Sequence, residues 1–189
     1  CNDGLQNEQH ISLRRKPMRQ VRNSVFETNS SSTHCICIVT DRKAELEYPE
    51  KVYFRCDDFG REPAELRSVE DKAAYLYSSI LSLYEMKKAE NAKTWIMEEL
   101  MKVGVQCEFE KATYHRYGSG VYCVNAFVDH AGEDDHLRFV DGILRSSGRL
   151  LRYLFSDKSV VLTTSDEIDD DRVENFHVGY RHEFYYKGN

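Results

Sequence analysis

The chain contains no stretch approaching the roughly 18 to 20 uninterrupted apolar residues that a membrane-spanning helix requires, so no membrane partner is expected. It also lacks a CxxC pair. Its six cysteines, at positions 1, 35, 37, 56, 107 and 123, do not form the dense framework that staples small secreted domains. Reduced thiols in a cytoplasmic setting follow, and buried free cysteine is expected over soft-metal ligation. No nucleotide-binding motif and no internal repeat occur, which removes the phosphate-loop enzymes and the solenoids from the candidate classes.

What is present describes a globular domain. With 189 residues, 41% hydrophobic and 12% aromatic, the chain has enough apolar mass for one core and is not of disordered composition. Residues 1–17, "CNDGLQNEQHISLRRKP", have neither the apolar core nor the cleavage site of a secretory signal, and Met18 opens "MRQVRNSVFE" as a plausible start. The expectation is a leader or non-native disordered segment over 1–17 and a single domain over 18–189.

Runs of β-branched and aromatic residues predict strands over Val21–Thr28, His34–Thr40 and "KVYFR" from Lys51. Ser68 with Asp71 three residues later resembles a capping box. Ala73, Leu76, Ile80 and Leu83 then recur at helical spacing, widened by Tyr77, Leu81 and Tyr84, so this helix should be mostly buried. A polar break at Glu90-Asn91 is expected to start a second helix that ends at Gly104. Two strands, "VQCEFEK" from Val105 and "GVYCVNAFVDH" from Gly120, should form a β-hairpin with "ATYHRYGS" as its tip.

From Asp135 to Phe155, at about 100° per residue, the apolar residues fall in one arc, and Arg138, Arg145, Arg149 and Arg152 cluster opposite. A single helix with an arginine stripe follows, or two pieces if "RSSGR" breaks it. "SVVLTTS" from Ser159 reads as a central strand and "RHEFYY" as a terminal one. The fold class is α+β: a single domain with a mixed, mainly antiparallel sheet and three or four helices packed on it.

Four features carry candidate chemistry. In "FETNSSSTHCICI", Asn29, Ser30, Ser31, Ser32 and Thr33 either close a turn through their own backbone or form an anion-binding nest with His34 beside it. His34, Asp129, His130 and Asp166 stand at or near strand ends. If those ends meet, they are candidate catalytic groups and ligands for Zn²⁺ or Mn²⁺, and a metal-dependent phosphoesterase or nucleotide-binding enzyme is the alternative function. Their spacing matches no compact metal motif. In "HAGEDDH", Glu133, Asp134 and His136 read as a solvated loop.

"DEIDDDRVE" supplies Asp166, Glu167, Asp169, Asp170 and Asp171, without the mid-loop glycine of a calcium loop. It reads as a solvated run or as an acidic partner surface that mimics phosphates. Tyr114, His115, Arg116 and Tyr117 combine stacking rings with a cation, as single-strand binders do, and the arginine stripe has the charge to follow phosphates. A net charge of −6 opposes generic affinity for nucleic acid.

"VRNSVFETNSSSTH", with "FVDH" at Phe127–His130 and "LFSDKSVVLTTSDE" at Leu154–Glu167, resembles a family of small, mostly uncharacterised proteins of phages and mobile elements of gut bacteria. The chain departs from that pattern at Ala131 and Thr164. The resemblance implies the cytoplasm of an infected bacterial host cell and an accessory protein that modulates host defence. Acting by binding, as an inhibitor of a host defence nucleoprotein in the manner of an anti-CRISPR protein, is the function expected. Its partner would be that protein or nucleoprotein complex, with nucleic acid as a further partner.

Overall fold

The computed structural model describes residues 34–39, 46–60, 63–118, 120–128, 133–163 and 182–188; for 34–39, 133–135 and 182–188 it describes the backbone only. These residues form one α+β domain. In chain order the elements are β1 (His34–Val39), β2 (Lys51–Phe54), β3 (Asp58–Phe59), β4 (Ala64–Leu66), α1 (Val69–Leu83), α2 (Met86–Met101), β5 (Gln106–Phe109), β6 (Tyr114–Tyr117), β7 (Gly120–Cys123), β8 (Phe127–Val128), α3 (Glu133–Ile143), α4 (Ser147–Phe155), β9 (Ser159–Thr163) and β10 (His182–Gly188).

α1 is the axis of the fold. Its residues Lys72 to Leu81 are buried without a break, because α2, α3, α4, β2, β7 and β8 all pack against it. A helix wrapped this way has no solvent stripe. Its start is fixed by Ser68, whose hydroxyl accepts the Asp71 amide at 3.0 Å and donates to the Asp71 carboxylate at 2.7 Å. That hydroxyl, with the Arg55 guanidinium 3.0 Å from Asp71, holds the Asp71 carboxyl below its ordinary range.

The strands are shared among a four-stranded sheet and three two-stranded ones. The larger sheet, ordered β10-β1-β9-β4, is antiparallel throughout. β9 is one of its two inner strands, buried from Ser159 to Val161 and again at Thr163, as the apolar run of its sequence leads one to expect. β2 pairs in parallel with β5, where cross-strand partners Phe54 and Phe109 stack at 4.4 Å between centroids. β3 pairs in parallel with β8, and β6 pairs antiparallel with β7.

Three expectations from sequence are corrected. The expected break at Glu90-Asn91 lies inside α2, and the true boundary is Tyr84-Glu85. Glu90 and Asn91 are the exposed face of a helix whose other face buries Ala89, Ala92, Ile96 and Leu100, so a solvent-facing polar pair imitated a break. β5 does not enter the hairpin but crosses to β2, and the hairpin is formed by "YHRY" itself against "GVYC". "EDDH" opens α3 rather than forming a solvated loop, and His136 is buried against Tyr75 and Phe139, with its Nε2 2.8 Å from the Ser79 hydroxyl. The expected strand Val21–Thr28 lies outside the described residues.

α2 ends as its glycine suggests. The Val105 amide donates to the Leu100 carbonyl at 3.0 Å and the Gly104 amide to the Met101 carbonyl at 3.0 Å, while Gly104 has φ +80°. Buried Val105 and Leu100 close the motif from within. A Cβ on Gly104 would meet nothing within 4 Å, so only the backbone resists substitution. Gly104→Ala is therefore expected to cost about 1 kcal/mol in a urea titration, with an unchanged slope.

Candidate functional site

Exposed aromatic rings and basic side chains occur together on the ribbon formed by β6 and β7. β6 and β7 pair Tyr114 with Cys123, His115 with Tyr122, Arg116 with Val121 and Tyr117 with Gly120. Two residues connect them, and Gly118 takes φ +60°, the sign that the primed turns of tight hairpins require. Alternation then divides the ribbon into two faces. Tyr114 and Cys123 turn inward and pack half-buried on the core, and burial raises the Tyr114 phenol above its ordinary pKa. His115, Tyr117 and Tyr122 form the outward face.

That outward face is open: Tyr117 is 70% and Tyr122 61% exposed. Gly120 lies across from Tyr117, and a Cβ built on it would fall 2.6 Å from the Tyr122 hydroxyl and 2.7 Å from its ring carbons. The Tyr122 ring thus occupies the side-chain space that Gly120 leaves empty. The absent side chain lets the ring lie down along its strand beside Tyr117.

The base of the ribbon is clamped by Asn125. Its Oδ1 accepts the Thr113 amide at 2.7 Å and the Cys123 thiol at 3.3 Å, and its Nδ2 donates to the Lys111 carbonyl at 3.1 Å. The Val124 amide adds a bond to the Thr113 carbonyl at 2.8 Å. Beneath the clamp, the Phe127 amide bonds the Asp57 carbonyl and the Cys56 amide bonds the Glu110 carboxylate. Burial, reinforced by Glu110, pushes the Cys56 thiol up to about 12, and Cys56, Cys107 and Cys123 are free thiols.

The local charge opposes that of the whole chain. Residues 111–128 contain no aspartate or glutamate, but they carry Lys111, His115 and Arg116, in a chain with 32 acidic and 26 basic residues. Phosphate is the chemistry such a segment attracts. Tyr122 and Asn125 were not singled out from sequence. Tyr122 joins the face of Tyr117 through the pairing register of the two strands, which "GVYC" alone does not give.

The other sequence candidates are placed as follows. The arginine stripe is divided, because Ser146 accepts the Arg149 amide and starts α4 as a separate helix after α3. Arg138 and Arg145 are exposed, Arg149 donates to the Gly142 carbonyl at 3.3 Å, and the Arg152 guanidinium lies over Gly148, where a Cβ would come within 3.3 Å of its Nη1. The four do not make one continuous face.

His34 begins β1, with its backbone opposite Thr163 on one side and Gly188 on the other. Asn29, Ser30, Ser31, Ser32, Thr33, Asp129, His130, Asp166, Glu167, Asp169, Asp170 and Asp171 lie outside the described residues. Among the described residues, no group of three or more histidine, cysteine, aspartate or glutamate side chains is placed to hold a metal ion. None of the described helices is long and apolar enough to cross a membrane. No protein-family model matches the chain, and neither the curated proteins nor the solved structures give a significant match.

Proposed function

We propose that the protein acts by binding, as a phage or mobile-element accessory protein that inhibits a host defence nucleoprotein of the CRISPR-effector kind, with the β6–β7 hairpin as its contact surface. The observation that carries the choice of surface is the outward pair Tyr117 and Tyr122, two large rings held in water on a ribbon whose base is fixed by Asn125. Tyrosine supplies wide contact area with few torsions to freeze, so rings already held by a hairpin lose little entropy on binding. The choice of target rests on the resemblance of "VRNSVFETNSSSTH" and its two companion segments to a phage-borne family.

The test uses purified CRISPR effectors loaded with guide RNA, each cutting a labelled matching duplex in the presence of increasing amounts of the protein. The expected result is stoichiometric inhibition of at least one effector, relieved in the Tyr117→Ala and Tyr122→Ala variants. Cleavage that continues at full rate for every effector in a panel spanning the known architectures would overturn the proposal.

A further inference from the structure

The structure points to a more specific ligand for the same surface. We infer that the outward face of the hairpin takes unpaired nucleobases of a single-stranded nucleic acid, one on Tyr117 and one on Tyr122; this inference rests on the binding reading above. Three independent observations converge on it. The first is geometric: in the register of the ribbon Tyr122 is diagonal to Tyr117, a relationship that sets their backbones about 7–8 Å apart on adjacent strands. Each ring can receive a base of its own at that spacing.

The second observation is the floor. Because Gly120 has no side chain, the Tyr122 ring lies over the strand rather than standing up from it. A ring in that posture offers its π face outward, which is what a base needs in order to stack. The third is charge. His115 shares the outward face with the rings, and Lys111 and Arg116, the latter on the other face of the ribbon, belong to the same acid-free segment of an otherwise acidic chain, so phosphates are drawn to this part of the surface and repelled from much of the rest.

Stacking of this kind is tolerant of base identity, since every base has a π face, but it requires the base to be unpaired. A duplex would present only its phosphates to the ribbon. The expected ligand is therefore single-stranded or looped, with RNA and DNA sharing the recognised chemistry.

The experiment is fluorescence anisotropy with the full chain and labelled oligo(U), oligo(dT) and a perfect duplex of comparable length, each about twelve nucleotides long. Both single strands are expected to bind more tightly than the duplex, and a tighter grip on one of them would show whether the 2′-hydroxyl is read. Tyr117→Ala and Tyr122→Ala should each weaken binding roughly tenfold, and the phenylalanine variants should retain it. Gly120→Ala, which displaces the Tyr122 ring without deleting it, should also weaken binding. Raising salt should lower log K with a slope of about −0.7 for each phosphate neutralised.

Tyr117 and Tyr122 are exposed, so unchanged melting curves are expected for their variants. The inference is overturned if neither strand binds, if the duplex binds as well, or if both alanine variants bind like wild type. If the oligonucleotides fail to bind while a guide-loaded effector is still inhibited, the rings meet protein instead and the binding proposal stands without this inference. If the oligonucleotides bind and no effector is inhibited, the inference stands and the choice of target falls.

Discussion

Tyr153→Ala is expected to destabilise the protein by about 4 kcal/mol, the middle of the range for removing a buried aromatic side chain. Tyr153 is fully buried, with its ring edge-to-face against Phe139 at 5.7 Å and its hydroxyl donating to the Lys72 carbonyl at 2.8 Å. The side chain joins α4 to the N-terminal part of α1, on which the other three helices pack, so the cavity would open inside the core. Single domains are stable by only about 5–15 kcal/mol, so this one substitution removes a large share of that margin. Tyr153→Phe keeps the ring and loses one hydrogen bond, and it should cost only about 1 kcal/mol. Urea titrations of the three proteins check both figures, and similar losses in the two variants would show that packing is not the main contribution.

The second large effect concerns Lys72, a lysine 1% exposed whose amine donates to the carbonyls of Ser156 at 3.0 Å and Ser159 at 3.4 Å. It ties the end of α4 and the start of β9 to α1. Burial, with a smaller push from Arg67, lowers its pKa from 10.5 to about 8. Between those two values the unfolded chain holds a proton that the folded protein has released, so stability must rise with pH across that window. Relative to a Lys72→Met variant, the wild type should gain about 2 kcal/mol of stability between pH 7 and pH 9.5.

The comparison with the variant is necessary because other groups act in the opposite direction. Burial raises the Cys56, Tyr77, Tyr84 and Tyr153 pKa values, and raised thiols and phenols cost stability as the unfolded chain ionises at high pH. These contributions are common to both proteins and cancel in the difference. A difference that stays flat with pH would mean that Lys72 is neither buried nor depressed as described.

The elements that could be read from sequence were those fixed by local chemistry. The Ser68 cap, the buried stripe of α1, the glycine stop of α2 and the apolar inner strand β9 each depend on residues close together in the chain. Elements that depend on distant partners were not legible. Nothing near Phe109 says that it will stack on Phe54, and without that contact β5 looks like one arm of the following hairpin. His136 looked polar because its burial is decided by Tyr75 and Ser79 on α1, far away in sequence.

The candidate site divides in the same way. "YHRY" announced stacking and charge, and three of its four residues are exposed on the ribbon. Alternation was the rule that would have turned Tyr114 inward and brought Tyr122 to the outer face, but it could be applied only once the pairing register was known. The arginine stripe had the correct period on its apolar side. It failed because a serine hydroxyl in "RSSGR" captured the Arg149 amide and began a new helix.

The central claim is that the protein works through the outward tyrosines of β6–β7. Its most direct test titrates wild type and the Tyr117→Ala/Tyr122→Ala double variant side by side against a guide-loaded effector that the wild type inhibits, with matched melting curves as the control for folding. A loss of potency of roughly 100-fold in the double variant is the predicted result, the product of two stacking contributions of ordinary size. Equal potency of the two proteins would contradict the claim and move the functional surface elsewhere on the molecule.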